Sequence, residues 1–91
     1  MPKPRVTIEN WGVVQNVISQ GFGELYPGNR LTGYVLGHTY LPNTKRIFTS
    51  PILRIDWSQG VVETLNTIYQ LGQTSDEYNS WSTEQRVATA A

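Results

Sequence analysis

Leu31-Thr-Gly-Tyr-Val-Leu-Gly-His38, Arg46-Ile-Phe-Thr-Ser-Pro-Ile-Leu-Arg-Ile-Asp56 and Val61-Val-Glu-Thr-Leu-Asn-Thr-Ile-Tyr-Gln-Leu71 are three β-forming runs separated by turn residues. Their spacing predicts an antiparallel meander over 31–72, because successive side chains of a strand point to opposite faces. In the first run Tyr34, Leu36 and His38 share one face, and Val35 and Gly37 the other. In the second, Ile52 and Arg54 oppose Leu53 and Ile55; Pro51 lacks a backbone donor, so this strand is an edge or is interrupted there. The third reads as one strand, with Val61, Glu63, Leu65, Thr67, Tyr69 and Leu71 against Val62, Thr64, Asn66, Ile68 and Gln70. Leu41-Pro42-Asn43-Thr44 and Trp57-Ser58-Gln59-Gly60 supply the two turns.

Outward from this block, Arg5 to Gln15 alternates as a first strand, with a bulge or bend at Trp11-Gly12. Asn16 to Arg30 is broken by Gly21, Gly23 and Pro27-Gly28-Asn29. It keeps Val17, Ile18, Phe22, Leu25 and Tyr26, so a packed loop is expected rather than a flap. Thr74-Ser-Asp-Glu77 fits a capping box with Thr74 as cap, and the short helix after it sets Tyr78 and Trp81 on one face. The expected fold is α+β and β-rich: a small antiparallel sheet, the meander 31–72 plus an N-terminal strand, with a short C-terminal helix. Residues 1–86 form one domain, with 87–91 as a flexible tail.

Composition narrows the chemistry. The 91 residues suit one small core. The absence of Cys excludes disulfides and thiolate catalysis, and a single His excludes a His-rich metal site within one chain. No metal site and no cofactor is expected. No apolar run approaches the ~18 residues of a membrane span, and the start lacks a signal-peptide core, so a soluble cytoplasmic protein without membrane contact is expected. A net charge of zero argues against general nucleic-acid binding. Between Leu25 and Ile55, however, Arg30, Lys45, Arg46 and Arg54 stand without a carboxylate, as a patch for a small anion would.

A catalytic role finds little support. Ser50, His38 and Asp56 lack a nucleophile elbow, Asp56 and Glu63 flank a hairpin, and the glycines lack the Lys-Ser/Thr of a phosphate loop. Polar recognition fits better. Arg46 and Arg54 would neutralise phosphates, and Thr49, Ser50, Thr64 and Asn66 would bond ribose and phosphate oxygens. Tyr69 or Trp11 would stack on a base, with His38 as a further ligand contact. Plain strand roles for the threonines and a structural role for His38 are the competing reading.

One resemblance extends this. Gly37-His38, the Pro42-Asn43 turn, Ile47-x-Thr49-Ser50-Pro51-Ile52-x-x-Ile55-Asp56 and Val62-x-Thr64-x-Asn66-Thr67-x-Tyr69-x-Leu71-Gly72 resemble small phage and prophage proteins of unknown function. More weakly, the pattern is similar to the phage anti-Thoeris sponge family, which sequesters cyclic ADP-ribose signals. That resemblance implies a homo-oligomer in an infected bacterial host that binds a cyclic nucleotide-like molecule at subunit interfaces. The alternative is an inhibitor that binds a host defence or replication protein through Trp57, Trp81 and Tyr78.

Overall fold

The computed structural model describes residues 3–15, 21–37 and 45–90, with side chains through 85. Six strands and one helix follow in order: β1 (Arg5–Val14), β2 (Arg30–Leu36), β3 (Arg46–Phe48), β4 (Ile52–Asp56), β5 (Val61–Thr64), β6 (Ile68–Leu71) and α1 (Asp76–Ala90). The expected α+β, β-rich class holds. The strand order is β3-β2-β1-β6-β5-β4, antiparallel throughout except that β1 and β6 run parallel, with Val6 opposite Tyr69 and Ile8 opposite Leu71.

The two ends of that order are halves of one bent segment. Past β3, the Thr49 amide donates to the Leu31 carbonyl at 2.9 Å. At the start of β4, Ile52 donates to the Asn29 carbonyl and accepts from the Gly28 amide, both at 2.8 Å. On its other side Ile52 lies opposite Thr64 of β5. The segment 46–56 therefore ties to the β2 side with its first half and to β5 with its second. Pro51 sits at the bend, where its missing donor disturbs neither ladder. The sheet is thus a meander rolled into a barrel, and the N-terminal strand closes it against β6.

A small barrel is filled by its own side chains. Val6, Ile8, Val13, Leu31, Val35, Ile52, Val62 and Tyr69 form that filling, and five of them are fully enclosed at 0% exposure: Ile8, Val13, Leu31, Val35 and Val62. Each fully buried aliphatic contributes about 1.5–3 kcal/mol relative to exposure.

Three expectations are corrected. The run 61–71 is a tight hairpin, not one strand: the Thr64 amide donates to the Thr67 carbonyl at 2.9 Å and the chain reverses. In the second run a bulge between Ile52 and Arg54 places both Ile52 and Ile55 on the packed side. The helix cap is Ser75, whose Oγ accepts from the Tyr78 amide at 3.1 Å and whose carbonyl accepts from Asn79 at 2.9 Å. Thr74 is occupied instead by a parallel bridge to Trp11.

The bulge in β1 is present: register shifts between Glu9 and Gly12, and Asn10 adopts a φ of 54°. α1 packs on the outside of β1 there. A Cβ on Gly12 would lie 3.0 Å from that of Tyr78, so any other residue would push the helix outward by a few tenths of an ångström. Tyr78 and Trp81 do share a face, stacked at 5.7 Å. Phe22 meets both rings, and the Tyr78 hydroxyl donates to the Gly23 carbonyl at 2.8 Å. The described part of the 16–30 stretch thus packs down through Phe22 and Leu25, while Tyr26 is exposed. The bounds of α1 take in residues 87–90.

Candidate functional site

The polar residues singled out from the sequence do not converge within one chain. Arg46 and Arg54 lie on either side of the Pro51 bend. Arg46 donates to the Asn10 carbonyl at 3.4 Å and lies over the Tyr34 ring, 5.9 Å from its centroid. Arg54 pairs with Glu63 at 3.0 Å, and Lys3 holds the other carboxylate oxygen at 2.7 Å. Hydrogen bonds from Lys3 and then Arg54 hold the Glu63 carboxyl below its ordinary range.

The hydroxyls are spent on the backbone. Thr49 Oγ1 accepts from the Leu31 amide at 3.0 Å and donates to the Ser50 carbonyl at 2.7 Å, pinning the bend. Thr64 Oγ1 donates to the Thr67 carbonyl at 3.1 Å and accepts from the Thr67 amide, pinning the β5–β6 turn. Ser50 is half-buried in the bend, and Asn66 is exposed in that turn. Trp11 is buried, with its indole N–H donating to the Gly72 carbonyl at 3.0 Å and its ring 5.8 Å from that of Tyr78. Tyr69 is a barrel-core residue whose burial pushes the phenol above its usual value, partly offset by Thr67. Neither ring leaves a face on which a base could stack. His38 lies outside the described residues. Of the three aromatic anchors, Trp57 is 72% exposed, Tyr78 is buried and Trp81 half-buried.

Instead, the fold gathers a set in which Arg46 alone is among the sequence candidates. The β1 bulge, β2, β3 and the first turn of α1 enclose a groove of about 450 Å³ lined by Asn10, Tyr34, Arg46, Ser75, Asp76 and Glu77. The ladder explains the grouping. Glu9 is opposite Tyr34 and Tyr34 opposite Arg46, so three neighbouring strands present these positions on the outer face. Phe48 and Leu36 continue that face along β3 and β2, at 57% and 41% exposure. The bulge then turns the Asn10 carbonyl toward the guanidinium, and the Ser75 cap brings the helix acids to the far wall. The signal available in the sequence was Asn10 itself, a residue that tolerates the left-handed region, directly before Trp11-Gly12.

A cation stacked on an aromatic, exposed apolar neighbours and two carboxylates make a surface of mixed charge. No protein-family model, curated protein or solved structure matches the chain. Among the described residues no group of three metal-ligating side chains occurs, and no helix is long and apolar enough to cross a membrane. A second hollow of about 610 Å³ runs along Gln15, Gly23, Glu24 and Tyr26 to Asn29, with no cation among the described residues of its lining.

Proposed function

We propose that this chain is a non-enzymatic binding protein whose target is another protein, held at the groove between β2, β3 and the start of α1. The observation that carries this reading is Arg46 stacked over Tyr34 in a groove that Asp76 and Glu77 also line. Tyr and Arg are the residues that dominate protein–protein contacts, and Phe48 and Leu36 extend the patch with apolar area. The opposing carboxylates disfavour a phosphate-rich ligand, because an anion drawn to Arg46 would meet Asp76 and Glu77 as well. A cyclic-nucleotide sponge would have to build its anion site from more than one copy, since Arg46 and Arg54 serve different sides of the bend. The resemblance to small phage and prophage proteins supports a target in a bacterial host's defence or replication machinery.

The test is capture from host lysate at high salt, followed by calorimetry with the purified target and, separately, with a panel of cyclic nucleotides. One stoichiometric protein should be retained, and Arg46→Ala or Tyr34→Ala should each weaken it by about 2 kcal/mol, roughly thirtyfold. Undiminished capture by both variants, or nucleotide heat that Arg46→Ala abolishes, would overturn the reading.

A further inference from the structure

Away from the groove, β4 ends the strand order with β5 on one side only. Beyond Ile52, among the described residues, its ladder runs to β5 alone, leaving the backbone of 53–56 open on the other edge. Open edges are templates for a further strand. This one and the turn after it also carry exposed side chains. Leu53 is 50% exposed, Trp57 is 72% exposed, and the Arg54 side chain is 76% exposed. The bulge between Ile52 and Arg54 takes Leu53 out of the β5 ladder.

The order of residues matters more than their exposure. Leu53-Arg54-Ile55-Asp56-Trp57 is complementary to itself read backwards. If two copies pair antiparallel about a two-fold axis at Ile55, Arg54 lies opposite Asp56 of the second copy, twice. Leu53 then comes beside Trp57 of the second copy, which opens the 57–60 turn directly after β4, twice, and Ile55 meets itself. Directly opposed residues on antiparallel strands interact most strongly, and opposite charges there are favourable. Both charged groups retain capacity for this. All three described bonds of Asp56 fall on Oδ1, from the Ser58 amide, the Ser58 hydroxyl and the Gln59 amide, so Oδ2 is the oxygen left for a partner. Arg54 uses Nη2 on Glu63, and a guanidinium has five N–H donors.

We infer that β4 is a self-association edge, at which two copies pair antiparallel about Ile55 to join their sheets. The pairing is a two-fold, self-complementary contact. An open edge of four residues, 53–56, falls in the small class of interfaces, below about 1,200 Å², so the dimer is weak and concentration-dependent. It lies on a different strand from the groove, and it holds whether or not the groove binds a protein.

Sedimentation over a concentration series tests this with two charge reversals. Wild type should rise toward twice the monomer mass as concentration increases. Arg54→Asp and Asp56→Arg should each remain monomeric, because each sets like charges opposite one another. Mixed one to one, the two variants should pair with each other, since every opposed position is then of opposite sign. Asp56 also supports the 57–60 turn, so Leu53→Asp provides a second variant that spares the turn and should be monomeric too. A wild type that stays monomeric throughout, or reversal variants that dimerise as wild type does, would overturn the proposal. So would a mixture that stays monomeric with both variants folded by circular dichroism.

Discussion

Glu63 stands between two cations, and the pH dependence of the fold at its acid end follows from that. Lys3 and Arg54 depress its folded pKa below the ordinary 4.5, so the stabilisation is present above that value and is lost as pH falls through the depressed one. Glu63→Gln should flatten the acid limb of a thermal-midpoint profile below pH 4.5 and leave the neutral region less changed. Tyr69 acts at the other end. Its pKa is raised by burial, so its neutral form costs nothing below the ordinary 10.0, and stability falls as pH rises above it. Tyr69→Phe should blunt that alkaline loss. The hydroxyl of Thr64 is fully enclosed and bonded at both ends. Thr64→Val keeps the shape but strands the turn's polar groups, and should cost about 1–3 kcal/mol by denaturant unfolding. At this scale the sequence was half legible. Asn66 stood out in an otherwise regular β pattern, because Asn is poor in strands. It was a turn residue, and the alternation of Leu65 and Thr67 around it hid the reversal.

Among the elements, α1 depends on its first residues and on the gap left for it at Gly12. Ser75→Ala removes the acceptor for the Tyr78 amide and should cost about 1 kcal/mol, whereas Thr74→Ala should cost less. Were Thr74 the cap, that order would be reversed. Gly12→Val would press a side chain onto Tyr78, and the emission of Trp11 and Trp81 should shift to the red as the aromatic cluster opens. The capping-box pattern of Thr74 and Glu77 was legible yet misplaced by one residue. Trp11 takes the backbone on either side of Thr74 into a parallel pairing, through bonds from the Trp11 amide to the Gln73 carbonyl and from the Ser75 amide to the Trp11 carbonyl. A contact from more than sixty residues away moved the helix start, and no local pattern records it.

For the molecule as a whole, Ile52 is where the two halves of the barrel wall meet. Ile52→Ala should cost about 2–5 kcal/mol. It should also speed amide exchange at Gly28, whose N–H ends on the Ile52 carbonyl across the seam. The meander was legible because every antiparallel neighbour is also a neighbour in sequence. The closing pair was not, since alternation in β1 and β6 says which side faces inward but not which strand lies alongside. The candidate site failed to assemble for a related reason. Arg46 and Arg54 are near in sequence, and Pro51 was visible between them, but only the rolled sheet shows that the bend assigns them to different walls.

The parallel pairing of β1 with β6 also sets a timetable. Arg5 and Ile68 are more than sixty residues apart, so the first strand of this sheet waits for its last. Until β6 has left the ribosome, β1 and β2 form a ribbon whose Val6 and Ile8 edge has no partner. Contacts of such long sequence separation slow folding, and open apolar edges invite association with other chains meanwhile. The nascent protein is accordingly most vulnerable in the interval between completing β2 and completing β6, when much of the wall exists and its interior is still wet.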